Sequence, residues 1–427
     1  MTIFLFVALF MIGCSVTSHN IRPEASEGGG PAAPTRDREI LIRRQDSLPI
    51  EPLVVEKTND GGFVIAGGSG LTAWAAKSNA KGQTVWNYST NLREPFLSVH
   101  QAPTYYGVAP MADGSTYLCG IMPHSAGANT SRALLTHVDA KGQLLNESLV
   151  SPFGQTNGAV KFAFFQNCTR WGDDVAIMGP AERILRPASA GVLPLIEHCY
   201  WIVVLDAKGR VKWERLIPAS SGIETTLGMA HVVLLPVGSD LVFSNTDNSN
   251  TELVRLSASG EIQARQQFSG QLRLIRPVVP DDLIELWGTS RDVPVSMVIT
   301  LDQRLEEVHR IEGYPKRSFF PTVVYRMPDR SFCLFGTSTH TSGQNRRTGI
   351  AHVDRDLLSA RLFEPITRPG PYIDSGQLTA AASIGGTGEF AVAMPIALHE
   401  IDINHFAGRN VPVGFTRGMA LDFVEFR

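Results

Sequence analysis

Two short turn signatures recur in phase along this chain, and they limit its possible folds more than any other feature. The first is Asp60-Gly61-Gly62, which feeds the alternating apolar run Phe63–Gly67. Asp113-Gly114-Ser115 and Asp329-Arg330-Ser331 do the same before Thr116–Gly120 and Phe332–Gly336. Alternation with a period of two is the mark of a strand with one face buried. The second signature is Asn79-Ala80-Lys81-Gly82, which returns as Asp139-Ala140-Lys141-Gly142, Asp206-Ala207-Lys208-Gly209 and Ser257-Ala258-Ser259-Gly260. Weaker copies begin at Asp302 and Asp354. An Asp or Asn binds its own backbone two residues on, and a terminal Gly accepts positive φ, so each copy is a tight turn. Each follows a β-branched run such as Trp201–Leu205, and Trp86 and Trp213 both stand four residues after the glycine.

The spacing predicts repeated units of four strands, A to D, with tight turns between A and B and between C and D. Candidate A strands lie near Leu53–Lys57, Tyr105–Met111, Val160–Gln166, Met229–Leu235, Leu272–Val279, Pro321–Met327 and Leu378–Ile384, which makes seven. The last unit has a B strand at Phe390–Pro395 and a C strand at Met419–Phe426 but no D strand before the sequence stops. The extended segment Glu39–Arg44 has no A, B or C strand before it. The two deficits match, and joining them removes the open sheet edges of a ring. The pattern resembles bacterial secreted β-propellers of the Asp-Gly-Gly type, similar in style to Kelch and WD-repeat blades. That resemblance implies an all-β, seven-bladed β-propeller over residues 38–427, closed by its N-terminal strand. It implies architecture and no activity.

The N-terminus is of another kind. Ile3–Ile12 is an apolar run too short to span a bilayer and of the length of a signal-peptide core. Met11-Ile12-Gly13-Cys14 resembles the lipobox of bacterial lipoproteins, which implies a signal peptide at 1–13, acylation of Cys14 and anchorage in a membrane; a plain cleaved signal is the alternative. Ser15 in place of Asp implies an outer-membrane lipoprotein of the cell envelope, facing the periplasm or the cell surface. Residues 14–37, rich in Ser, Gly, Pro and Ala, read as a flexible tether. Four more cysteines, Cys119, Cys168, Cys199 and Cys333, are too few for a disulfide framework. Cys168 and Cys199 are expected on opposite faces of one unit. A net charge of −3 gives no basic face for nucleic acid.

Alternating strand direction puts all A–B and C–D turns at one end of the units and the B–C loops and D–A connections at the other. The first set is uniformly short. Length variation falls in the second, at Ile121–Arg132, Ala181–His198, Thr339–Arg347 and Ala397–Phe415. Rigid scaffolds carry binding sites on such loops, so the elaborated end is where a partner is expected. Its aromatic and basic residues are the candidate binding face: His100, Tyr105, Tyr106, His124, Arg183, Arg186, Arg317, Phe319, Phe320, His340, Arg346, Arg347 and Tyr372. His399, Asp402 and His405 form a weak candidate metal site, provided their spacing falls on a helical turn. Trp74, Trp86, Trp201 and Trp213 are expected in the core, and His137 and His352 share one repeat position.

No catalytic motif and no cofactor-binding motif stands out. The expected function is a membrane-tethered binding module for a protein partner in the envelope, with no cofactor. An immunity lipoprotein against a toxin acting in the periplasm is one alternative. A glycan-active enzyme or sugar-binding propeller is another, and the enzyme requires two carboxylates, or a His and a carboxylate, near the axis.

Overall fold

The computed structural model describes residues 35–42, 50–69, 72–92, 103–123, 131–152, 160–187, 193, 195–220, 232–246, 250–277, 282–289, 296–313, 319–339, 346–358, 360–363, 372–374, 380–383, 389–400 and 414–425. The expected signal peptide, the expected lipobox and most of the expected tether lie outside them. Strand β1 (Thr35–Ile42) comes first. The first sheet holds β2 (Ile50–Lys57), β3 (Phe63–Ser69), β4 (Thr72–Ser78) and β5 (Thr84–Ser89). The second holds β6 (Thr104–Pro110), β7 (Thr116–Pro123), β8 (Ser131–Val138) and β9 (Leu144–Val150). In the third, β10 (Val160–Ala163) and β11 (Asn167–Trp171) share the inner position beside β12 (Asp174–Arg186), followed by β13 (Leu195–Leu205) and β14 (Val211–Pro218).

The fourth sheet is β15 (Val233–Val237), β16 (Asp240–Thr246), β17 (Asn250–Leu256) and β18 (Ile262–Ser269). In the fifth, β19 (Gln271–Leu274) is parted by the two-residue β20 (Arg276–Pro277) from β21 (Ile284–Thr289), β22 (Ser296–Leu301) and β23 (Glu307–Gly313). The sixth contains β24 (Phe319–Arg326), β25 (Phe332–Thr339), β26 (Arg346–Val353) and β27 (Ala360–Phe363), and β20 joins it by parallel pairing with β24. The seventh has β28 (Tyr372–Asp374) and β29 (Ala380–Ser383) on one side of β30 (Glu389–Glu400), then β31 (Gly414–Glu425), and β1 on the outer edge of β31. Thus the opening strand pairs with the closing one, Ile40 opposite Leu421 and Ile42 opposite Met419.

Successive sheets touch in chain order, and β2 of the first touches β29, β30 and β31 of the seventh. The core is therefore a series of layers between neighbouring sheets. Val64, Tyr105 and Leu118 fill the first seam, and Cys119, Phe165, Val175 and Trp201 the second. Phe165 stacks on Trp201 with centroids 4.5 Å apart, a geometry that adds to the area both rings bury. Farther round, Trp287 packs on Phe332, and Tyr325, Phe335 and Phe390 form a cluster between sheets six and seven. Trp74 and Trp201 are buried as expected, whereas Trp213 is half-buried.

The C–D turns share one mechanism. Asp139 Oδ1 accepts from Lys141 N and Gln143 N at 2.8 Å each, and the Gly142 amide returns to Asp139 O at 3.0 Å. A register shift follows at once, between His137 and Val138, as in a hairpin turn whose left-handed residue opens a bulge. Sheets five and six keep the turn with Leu305 (φ 65°) and Leu357 (φ 55°) in the left-handed position. Both leucines are fully buried, and that burial offsets a left-handed cost of about 1–2 kcal/mol. The weak signatures at Asp302 and Asp354 are thus complete turns with an apolar residue in place of glycine.

Candidate functional site

Strand reaches into all four expected long B–C connections, and furthest into two of them. In the third sheet β12 runs to Arg186 and β13 starts at Leu195, with Glu182 opposite His198 and Arg183 opposite Glu197. Residues 181–186 and 195–198 are therefore paired strand that extends the sheet as an arm, where a loop was expected. The alternation of Ile184 and Ile196 with charged neighbours lets the pairing continue past the core. Arg183 Nε donates to Glu197 Oε2 at 2.8 Å, and Arg186 is exposed. Toward the tip the arm carries three exposed leucines, Leu185 (52%), Leu193 (85%) and Leu195 (50%). Cys199 lies at its base, where burial and the neighbouring Glu197 push its thiol up to about 12. In the seventh sheet, likewise, strand covers both ends of Ala397–Phe415.

The rest of the expected face divides. Tyr105 is a correction: it is completely buried in the seam between sheets one and two, its hydroxyl 2.8 Å from Thr136 Oγ1. A bulge between Tyr105 and Gly107 turns it inward. Tyr106 is half-buried, 6.0 Å from Phe164. Phe319 and Phe320 lie on β24, Arg346 and Arg347 on β26, and Tyr372 on β28 opposite Leu398. His100, His124, Arg317 and His340 lie outside the described residues, as do Cys14, Asp402 and His405. His399 lies within β30, opposite Phe415. The helical turn that the metal reading required is thus replaced by extended backbone at His399 and Glu400, because β31 offers a pairing partner there.

A cavity of about 330 Å³ lies where the innermost strands converge, contributed by β2, β11, β15, β19, β20, β24 and the start of β21. Glu56 stands two residues before the A–B turn at Thr58, and Tyr325 two before the turn at Met327. The cavity therefore belongs to the end with the tight turns, opposite the end on which the sequence placed a partner. Its wall is mainly aliphatic, with Leu234, Val237, Ile275 and Ile284 among its side chains. Its charge is one pair, Arg276 Nη1 donating to Glu56 Oε1 at 2.8 Å. Burial works against the guanidinium charge, but Glu56 and the Tyr325 hydroxyl outweigh it and hold Arg276 firmly protonated. The parallel pairing of β20 with β24 sets Arg276 opposite Tyr325. Cys168 in the same wall is a free thiol pushed far up by burial beside Cys119, so it stays neutral and a poor nucleophile. The cavity was not legible in the sequence, because β20 is two residues long and Glu56 and Arg276 are 220 positions apart.

Two further polar groups recur with the repeat. His137 Nε2 lies 3.0 Å from Ser115 Oγ, which donates to Asp113 Oδ1 at 2.7 Å. His352, Ser331 and Asp329 repeat this in sheet six, at 3.0 and 2.6 Å. The serine sits between the carboxylate and the imidazole, an order different from that of a nucleophilic triad, where the histidine stands between acid and serine. The same two backbone positions hold an ion pair in sheet one, Lys77 to Asp60 at 2.7 Å, and in sheet four Arg255 pairs at 2.7 Å with Asp240, which stands at the position of the serine. The group ties the A–B turn to strand C. Near the opposite end, fully buried Glu252 accepts from Tyr200 Oη at 2.6 Å and Ser220 N at 3.2 Å, with Arg265 Nε at 3.5 Å. These partners saturate its carboxylate and join sheets three and four.

Sheets of four or five mainly antiparallel strands, each packed face to face on the next, define an all-β β-propeller. No protein-family profile matches the chain, and no curated protein does either. Among solved structures it is similar to the acylaminoacyl peptidase of Pyrococcus horikoshii at 9% identity and a TM-score of 0.43, over 84% of this chain and 51% of that one. It is also similar to a puromycin hydrolase at 12% and 0.48, over 82% and 51%. The β-propeller domain of the Trilobed protease of Pyrococcus furiosus matches at 8% and 0.44, over 85% and 90%. The chain spans about half the length of the first peptidases it matches.

Proposed function

We propose that the chain is a binding module of the cell envelope, a lipoprotein anchored through acylated Cys14 in the outer membrane, whose propeller engages a protein partner. In this reading the seven sheets are seven blades of one ring. The observation that carries it is the β12–β13 arm, which projects strand pairing past the buried part of its sheet and carries Leu185, Leu193 and Leu195 exposed. Exposed apolar side chains grouped on a projecting element are the usual mark of a contact surface, and paired backbone makes the arm a rigid one. The cavity favours binding over glycan hydrolysis. Acid–base cleavage uses two carboxyl groups, whereas the cavity wall among the described residues offers only Glu56, already engaged by Arg276.

The test is affinity capture with the intact lipoprotein, compared with a chain in which residues 184–196 are replaced by a two-residue Asn-Gly turn. The reading expects one stoichiometric envelope protein with the intact chain and its loss with the shortened arm. Equal recovery by both chains, or no recovery by either, refutes it. Palmitate labelling that Cys14→Ser abolishes checks the anchor.

A further inference from the structure

The axial cavity pairs an aliphatic wall with one matched set of charges, and the combination selects a ligand class. Glu56 and Arg276 retain 30% and 22% of their side-chain surface although both lie deep in the fold, and both line the cavity. A guanidinium has five N–H donors, more than Glu56 Oε1 and the Tyr325 hydroxyl accept. Carboxylate oxygens likewise have lone pairs beyond one contact. The pair therefore holds capacity for one further anion beside Arg276 and one further cation beside Glu56. Because the pair is neutral as a unit, a lone anion would be placed against the Glu56 carboxylate and a lone cation against Arg276. A ligand carrying both charges close together meets neither penalty. The aliphatic wall adds the demand for an apolar body, and a volume of about 330 Å³ lies at the small end of ligand pockets.

We propose that this cavity binds a free apolar amino acid or dipeptide as its zwitterion. The carboxylate accepts from Arg276, the ammonium donates to Glu56, and the side chains lie on Leu235, Val237 and Ile275. Asn167 and Thr169, which also line the cavity, supply partners for the amide of a dipeptide. This site is independent of the arm and of whatever the arm engages.

The experiment is calorimetric titration of the full-length protein with leucyl-leucine, N-acetyl-leucyl-leucine, leucyl-leucinamide and octanoate. The dipeptide is expected to bind, and each capped form and octanoate to bind at least tenfold more weakly. Glu56→Gln should weaken the dipeptide tenfold or more while strengthening the acetylated form, which has no ammonium to lose and no longer meets the Glu56 carboxylate. Leu235→Trp, which fills the cavity and leaves the ion pair intact, should abolish binding and guards against a Glu56 variant that fails to fold. No heat with leucyl-leucine at millimolar concentration overturns the proposal. So does equal binding of the capped dipeptides, tighter binding of octanoate, or unchanged binding by Leu235→Trp.

Discussion

Trp86 rests on the backbone of Gly142, and that contact shows how single residues set the spacing of the ring. Gly142 has φ +80°, and a Cβ added there would fall 2.5 Å from Trp86. Gly260 repeats the arrangement with Trp213, whose indole Nε1 donates to Ala258 O at 3.0 Å. Gly142→Ala therefore meets both a left-handed backbone and a rigid ring, and should cost about 2 kcal/mol or more, read as a lower urea midpoint with an unchanged slope. An unchanged midpoint would remove the contact from the account. Asp60 gives a pH dependence. Burial raises its carboxyl, but Lys77, Thr58 and the Gly62 amide together outweigh that and hold it at about 2, against 3.8 ordinarily. A depressed acid stabilises the fold above its unfolded value, so this contribution is complete above pH 4 and disappears as pH falls toward 2. The carboxylate is more than half exposed, so the effect is below about 1 kcal/mol. Asp60→Asn should flatten the acid limb of stability between pH 4 and 2 by that amount, and an identical limb in the variant would contradict the assignment.

At the scale of elements, the turns and the strands respond to different forces. Leu357→Gly frees the backbone of its left-handed cost but removes a fully buried side chain. The cavity term of about 2–5 kcal/mol exceeds the about 1–2 kcal/mol of relief, so the variant should be less stable. A glycine variant more stable than the native chain would show the turn to be strained and unsupported. Replacing the β12–β13 arm beyond Arg183 by a short turn should move the unfolding midpoint little, because Leu185, Leu193 and Leu195 bury little surface. These cases also explain what the sequence revealed. Asp-x-x-Gly turns and period-two runs are local, so strands such as Phe332–Thr339 were legible. The length of β12 and β13 was not, because past the core the alternation thins to Ile184 and Ile196 among charged neighbours, too short a run to read. Tyr105 was misplaced because a bulge reverses the face on which it stands. The Glu56–Arg276 pair depends on a crossing between distant strands, which no local pattern encodes.

For the molecule as a whole, a closed ring of sheets needs its first and last segments to meet. The six seams between successive sheets bury aromatic and branched side chains from both neighbours, so each of these sheets depends on the next, and an open ring would leave one seam and one sheet edge exposed. β1 meets that need by pairing with the outer edge of β31, Ile40 lying opposite Leu421 at 381 positions along the chain. The most direct measurement is a disulfide across that junction. Partners directly opposite in an antiparallel pair have Cα atoms about 4.5–5.5 Å apart, within reach of a disulfide. With Cys14 replaced by Ser, Ile40→Cys and Leu421→Cys should form an intramolecular disulfide on mild oxidation and raise the melting temperature, whereas Ile40→Cys with Arg417→Cys should not link. Absence of the first bond, or its formation only between separate chains, would show that β1 does not close the ring.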